Sequence, residues 1–317
     1  MMRALVTGVT GQDGSYLAEA LLSAGQEVHG TVRDAHEPVA TGVVAHRVDL
    51  AEAGGLAAVV TEVRPDVIYN LAAVSSVFRS WEEPVITARL NGLAVAELLA
   101  AVRSLGGGIR VVQASSAEIF GAPETAPQSE TTPVRPTSPY GAAKAYAHGL
   151  VGVYRAAGVH ASSVILYNHE SPRRPETFVT RKITAAAARI SRGLQDRLSL
   201  GNLAARRDWG WAPDYVEALR LAAAAAQPGD YVIATGKAHS VEDFVAIAFA
   251  RAGVADWRAH VDVDDALLRT GDAAEQVGDA SKAQRLLGWR PTRDFDQVVN
   301  AMVDADLARL DEEPPAR

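Results

Sequence analysis

The chain has 317 residues with 48% hydrophobic and 22% charged side chains, a formal net charge of -7 and no cysteine. That length buries a sizeable core, as one large α/β domain or two interleaved lobes. The acidic balance argues against a nucleic-acid partner, and the lack of Cys removes disulfides, thiolate nucleophiles and Cys-bound zinc; no metal site is expected. A few local Arg residues still suffice to hold a diphosphate inside an acidic protein. The N-terminus runs straight into an apolar strand, and no apolar run reaches the ~20 residues of a membrane helix. A soluble, cytoplasmic protein without a membrane partner is the expectation.

Short β-branched runs at 4–7, 27–32, 45–48, 67–71, 110–114 and 162–166 read as strands. Amphipathic stretches at 15–24, 56–63, 88–104 and 138–155 read as helices between them. This alternation predicts an α/β fold with a doubly wound parallel sheet, whose ligands sit beyond the carboxyl ends of the strands. After Asn168 the pattern loosens into Pro- and Arg-rich loops, which predicts a smaller lobe closing over the sheet. The tail from Asp311 reads as frayed.

The first strand ends in Gly8-Val9-Thr10-Gly11-Gln12-Asp13-Gly14, with an apolar helix directly after it. Glycines at this spacing allow the tight turn and the close approach of a pyrophosphate to the helix N-terminus. The spacing is that of short-chain dehydrogenases, so the sheet is expected to be Rossmann-like. The second strand ends at Arg33-Asp34. An acid here holds a ribose 2′-hydroxyl and an Arg holds a 2′-phosphate. Arg33 comes first, which favours NADP over NAD, and Asp34 leaves NAD open. Asp49 and Leu50, at the end of the third strand, suit the adenine edge, although Asp49 equally suits a helix N-cap.

The fifth strand ends in Ser115-Ser116-Ala117-Glu118, and Tyr140 and Lys144 follow in helical register. Residues at i and i+4 share a helix face, so Lys144 sits beneath Tyr140. A nearby ammonium is expected to lower the phenol from its usual ~10 toward neutrality and make it a usable base. Ser116 is placed to orient the same substrate hydroxyl.

These strings, with Tyr69-Asn70, Ser138-Pro139-Tyr140, Asn168-His169-Glu170-Ser171-Pro172-Arg173-Arg174, Arg181-Lys182, Leu200-Gly201-Asn202, Arg207-Asp208-Trp209-Gly210 and Gly278-Asp279, resemble the GDP-mannose 4,6-dehydratases. That family lies within the extended short-chain dehydrogenases/reductases, and the resemblance runs over nearly the whole chain. It implies an NADP-binding domain at 1–167, also receiving about 212–236, and a C-terminal α/β substrate lobe at 168–211 and 237–317. It implies an internal redox cycle: Tyr140 takes the C4 hydroxyl proton as hydride passes to NADP. A Glu removes the C5 proton, water leaves from C6, and hydride returns at C6. Glu118 becomes the C5 base, with Ser116 and Lys144 as partners of Tyr140. The implied cofactor residues are Gly8, Thr10, Gly11, Gln12, Asp13, Gly14, Arg33, Asp49, Leu50, Leu71, Tyr140, Lys144, His169 and Arg174. The implied sugar-nucleotide residues are Ser75, Asn168, Val179, Lys182, Leu200, Gly201, Arg207 and Arg269, with the diphosphate at Arg207 and Arg269 and the guanine near Lys182. Arg173, Arg174 and Arg181 fit ligand or subunit contacts and structural roles equally, and Trp209 and Trp211 read as packing residues.

The chain departs from the family pattern at three places. Ala117 stands where the family carries a polar residue that assists the C6 hydroxyl, and Ser115-Ser116-Ala117 resembles the turn of nucleotide-sugar 4-epimerases. The loop after Arg33 is shorter and less basic than the family's tetramer loop, so a homodimer is expected and a tetramer is possible. Arg269-Thr270-Gly271-Asp272 only approximates the family's motif. A 4-epimerase therefore stands as the alternative to a dehydratase, and a non-catalytic sensor is disfavoured by the complete Ser, Tyr and Lys set.

Overall fold

The computed structural model describes residues 1–106, 108–267 and 273–312. Its first half holds strands β1 (Arg3–Thr7), β2 (Glu27–Val32), β3 (Val43–Arg47), β4 (Val67–Asn70), β5 (Arg110–Ser116) and β6 (His160–Leu166). The helices between them are α1 (Gln12–Ser23), α2 (Gly55–Val63), α3 (Val77–Glu82), α4 (Pro84–Ala88), α5 (Ala94–Leu105) and α6 (Pro139–Ala156). Next come β7 (Asn168–Glu170), α7 (Val179–Ser191), β8 (Leu198–Leu200), β9 (Arg206–Trp211), α8 (Ala212–Ala224) and β10 (Asp230–Ile233). The chain ends with β11 (Ala238–Ser240), α9 (Val241–Arg251), β12 (Val261–Val263), β13 (Glu275–Gln276), α10 (Ser281–Leu287) and α11 (Phe295–Glu312).

Seven strands form one parallel sheet in the order β10-β6-β5-β4-β1-β2-β3. Its central strands are buried along most of their length because helices cover both faces. On one face Leu17 and Leu21 of α1 meet Tyr215 and Leu219 of α8, with Trp289 beneath them. On the other, Leu56 and Val60 of α2 pack with Leu98 and Leu99 of α5 and Val151 of α6. The order reverses between β1 and β4, and that switch point opens the crevice where such sheets bind ligands.

A second core gathers Ile183, Trp209, Phe244, Phe249, Phe295 and Met302 from α7, β9, α9 and α11. Above it β11, β9 and β13 pair side by side, and β7 joins β9 in parallel. A small parallel pair, β8 with β12, borders this lobe. Arg181 of α7 and Asp306 of α11 form a buried ion pair at 2.6 Å that ties its helices together. Trp209 is a packing residue, edge-on to Phe244 and stacked on Phe295. Trp211 lies under the Arg293 guanidinium at 4.1 Å.

Four boundaries differ from the expectations. The third strand starts at Val43, and α3 was not foreseen because it is one short turn-rich segment. The helix expected at 88–104 begins at Pro84, a residue suited to the first helical turn, and passes through a π turn at Arg89–Leu93. That turn carries the Asn91 side chain inward, where it both accepts from and donates to the Val74 backbone at 2.8 and 2.9 Å. The Pro84–Leu105 run is long and apolar enough to cross a membrane by length and composition, but it is laid against α2 and α6 with Thr87 and Asn91 buried. Finally α11 stays helical to Glu312, past the start of the tail that read as frayed.

Candidate functional site

A cavity of about 520 Å³ lies over the carboxyl ends of β4, β5 and β6, roofed by the second lobe. Its floor is built by short-range chemistry. Strand β5 ends at Ser116, which caps the 3-10 turn Ala117–Phe120 by accepting from the Glu118 N–H at 3.2 Å. Ser138 caps α6 in the same way, accepting from the Gly141 N–H at 3.0 Å. Gly141 matters because a Cβ there would meet the Glu118 carbonyl oxygen at 2.5 Å. Its absence lets α6 press against the turn and brings Tyr140 to Ser116 and Glu118. The Tyr140 N–H is held by Ser80 Oγ of α3 at 3.1 Å.

Lys144 lies one turn along α6, with Nζ 5.9 Å from the Tyr140 ring centre and donating to the Ala114 carbonyl at 2.9 Å. The expected lowering of the phenol is not what this environment gives. Burial pushes Tyr140 up to about 12, with a Ser116 hydrogen bond pulling it down and the Glu118 charge pushing it further up. Burial also lowers Lys144 to about 8, opposed by the charge of Asp13. Desolvation outweighs pairing because both groups sit under the roof of the cavity.

The glycine turn shows a cradle for a dinucleotide. Gly8 has φ of +67°, and a Cβ on Gly14 would meet the Gly8 carbonyl oxygen at 2.2 Å. The first turn of α1 has no side-chain cap at Gly11, which leaves its N–H groups to suit an anion. The side chains of that turn are anchors. Gln12 donates to the His169 carbonyl at 3.1 Å and accepts from Ser171 at 2.8 Å. Asp13 pairs with His169 at 2.8 Å, and His169 stacks on Tyr215 at 4.5 Å. Burial resists the charge on both, but their mutual attraction and hydrogen bond hold Asp13 below and His169 above their ordinary values.

Asp13, Leu71, His169 and Arg174 line the cavity together with Ser116, Glu118, Tyr140 and Lys144. Ser75, Asn168, Val179, Lys182, Leu200, Gly201 and Arg207 line it from the substrate side. Lys182 donates to the Ser199 carbonyl at 2.7 Å, and buried Arg207 donates to the Arg206 and Ala273 carbonyls at 2.8 Å. Arg269 lies outside the described residues. The three undecided arginines part company. Arg173 bonds Ser15 and Glu19 and covers the Tyr16 ring, and Arg181 pairs with Asp306, so both are ties within the fold. Arg174 stacks on Phe178 at 3.7 Å beside Glu170, and its buried Nε has no hydrogen-bond partner.

Thr10, Arg33, Asp49 and Leu50 lie away from the cavity, toward the β2 and β3 ends of the sheet. The exposed Asp49 carboxylate accepts from the Ala51 N–H at 2.8 Å, which is the turn-capping use. Sequence reasoning missed Glu37. Its carboxylate accepts from Thr10 Oγ1 and from the N–H groups of Arg33 and Asp34 at 2.7, 3.1 and 2.9 Å. The available signal was an acid shortly after Arg33 in the β2–β3 loop. Ala117 is not among the residues that line the cavity, and its methyl group is buried in the hydrophobic core.

A family model described as GDP-mannose 4,6 dehydratase matches residues 5–302. GDP-mannose 4,6 dehydratase 1 of Arabidopsis thaliana is 46% identical over 324 residues, 96% of this chain and 89% of that one. The GDP-mannose 4,6 dehydratase of Cricetulus griseus is 42% identical over 349 residues, 99% of this chain and 93% of that one. Among solved structures, Thermus thermophilus UDP-glucose 4-epimerase with NAD superposes at TM-score 0.85 and 32% identity, covering 96% of this chain and 99% of that one. The dTDP-glucose 4,6-dehydratase DesIV of Streptomyces venezuelae with NAD bound gives TM-score 0.85 at 25% identity, covering 99% of both chains.

Proposed function

From the premise that the chain belongs to the GDP-mannose 4,6-dehydratase family, we propose that it removes water across C5 and C6 of GDP-mannose, yielding the GDP-4-keto-6-deoxy sugar. The observation that carries the reading is Glu118 on the cavity floor beside Ser116 and Tyr140. A 4-epimerase has no use for a carboxylate there, whereas elimination requires one.

The glycine cradle fits a nicotinamide dinucleotide, Arg174 lines the same cavity, and Arg33 favours NADP. Bound NADP supplies a hydride acceptor for C4, a hydride donor for C6 and, while oxidised, a positive charge that favours the phenolate. Ser116 orients the C4 hydroxyl, and Tyr140 takes its proton. Lys144, fixed on the Ala114 carbonyl, holds the position and field around that phenol. The C4 ketone acidifies the C5 hydrogen, which the Glu118 carboxylate removes. Ala117 offers no proton donor, while Asp13 is engaged by His169 and Glu170 by Thr180. Glu118, protonated from C5, therefore passes that proton to the departing C6 hydroxyl, and water leaves. Once C6 has received hydride, C5 is reprotonated, and the count closes with the proton that Tyr140 accepted.

Arg207 would hold the diphosphate, Asn168 the sugar end, and Lys182 and Val179 the guanine. The chain would act as a homodimer through α5, α6 and the π turn, whose Leu93, Tyr146 and Val153 are exposed apolar residues. A monomeric mass in light scattering would remove the dimer. The reaction is tested by incubating purified enzyme with GDP-mannose and weighing the product. A product lighter by one water is expected, and an epimer of unchanged mass would overturn the proposal.

A further inference from the structure

The loop that joins β2 to β3 folds an acid back onto the sheet edge. The Glu37 carboxylate is held by one hydroxyl, from Thr10 in the glycine turn, and by two successive backbone N–H groups, from Arg33 and Asp34. A hydroxyl, a pair of adjacent N–H groups and a neighbouring guanidinium are the donor set that recognises phosphate oxygens. In a doubly wound fold the carboxyl end of the second strand receives the adenosine ribose. The donors a 2′-phosphate would use are thus already taken by an anion belonging to the chain.

We propose that Glu37 is an internal stand-in for the cofactor 2′-phosphate and the residue that limits how strongly this enzyme prefers NADP(H) over NAD(H). This rests on the reading, made above, that the adenosine ribose docks at the end of β2. The physical case has two parts. A 2′-phosphate must either displace the carboxylate from three hydrogen bonds or settle beside it, one anion against another. An unphosphorylated ribose donates its hydroxyl to the same carboxylate and leaves the three bonds in place. The Thr10 hydroxyl, the backbone N–H groups and the nearby Arg33 charge keep the Glu37 carboxyl below its ordinary range, so the anion is present throughout neutral pH. Arg33 and Glu37 therefore pull in opposite directions on one specificity, Arg33 toward the phosphate and Glu37 away from it.

The test is calorimetry on the full chain, freed of co-purified nucleotide, with NADPH, NADH, adenosine 2′,5′-bisphosphate and adenosine 5′-monophosphate. Glu37→Gln keeps an acceptor for the two loop N–H groups and offers Thr10 an amide donor in place of the second oxygen, while removing the charge, and Glu37→Ala removes both. Each is expected to tighten NADPH and the bisphosphate by roughly tenfold, with NADH and the monophosphate shifting by less than about threefold. Arg33→Ala, run in parallel, is expected to weaken the two phosphate-bearing ligands alone. Unchanged or weaker NADPH binding in both Glu37 variants, with the Arg33→Ala effect intact, would overturn the role given to Glu37 and leave the docking site standing. Indifference of every ligand to all three variants would overturn the docking site as well.

Discussion

The two ends of the crevice along the sheet are built to opposite standards. At the β5–α6 end, Tyr140 and Lys144 are buried, the Tyr140 N–H is bonded to Ser80 and the next N–H, of Gly141, to Ser138, and the two side chains are held by Ser116 and the Ala114 carbonyl. At the β2 end, Arg33 and Asp34 are exposed, and the side chain held by three hydrogen bonds is Glu37, an acid where an anion is to bind. The difference teaches where this fold spends rigidity. Proton and hydride transfer need fixed atoms, while adenosine affinity tolerates a surface loop with competing charges.

The comparison breaks first, and by most, at its buried end. Tyr140→Phe keeps the ring and the packing but removes the proton acceptor, so kcat is expected to fall by ~10²–10⁴ without formation of the 4-keto sugar. Retention of more than about a tenth of the wild-type rate would mean that the buried phenol is not the base.

The tie that supports the roof is next. Asp306→Ala leaves the buried Arg181 only the longer contact to Glu176 at 4.0 Å, and removing one side of a buried pair costs ~3–5 kcal/mol. Denaturant unfolding should show this loss, and Arg181→Met combined with Asp306→Ala should recover most of it. A single variant as stable as wild type would show that the pair carries nothing.

The smallest effect sharpens the junction of α1 with β7. His169 holds its proton more tightly than an ordinary His, so its contribution is complete below ~6.5 and is lost as pH rises through its raised folded value. Asp13 is shifted down, so its contribution is present above ~3.9 and lost as pH falls through its folded value. The pair therefore stabilises most between roughly pH 4 and 6.5. Asp13→Asn is expected to lower the melting temperature most near pH ~5.5 and least near pH ~9. An equal loss at both would remove the ion pair from the account.

What the sequence showed followed the range of the interactions. The glycine turn and the Tyr140–Lys144 pair rest on neighbours within a few residues, and both were legible. The strands of the main sheet announced themselves as apolar runs, apart from β10, which comes late and pairs back onto β6. The roof was expected as a smaller lobe, but its strands were not legible, because β7, β9 and β13 pair over long separations. The fates of Arg173 and Arg181 were set by α1 and α11, which no local pattern reveals. Glu37 was missed because the hydroxyl it meets belongs to Thr10, across the sheet edge. The titration of Tyr140 was misjudged because spacing shows its partner but not the depth of its burial. Ala117 weighed toward an epimerase as a letter in a motif, and lost that weight once its methyl group proved to be in the core.

The central claim is that Glu118 removes the C5 proton of a substrate already oxidised at C4, and solvent exchange at C5 tests it most directly. Wild-type enzyme turning over GDP-mannose in deuterated water should place deuterium at C5 of a product that has lost water. Glu118→Gln should abolish both the exchange and the water loss, by ~10²–10⁴ in rate, while still forming the 4-keto sugar that Tyr140→Phe cannot form. Product of unchanged mass with no deuterium at C5 from the wild type, or undiminished exchange in Glu118→Gln, would contradict the account.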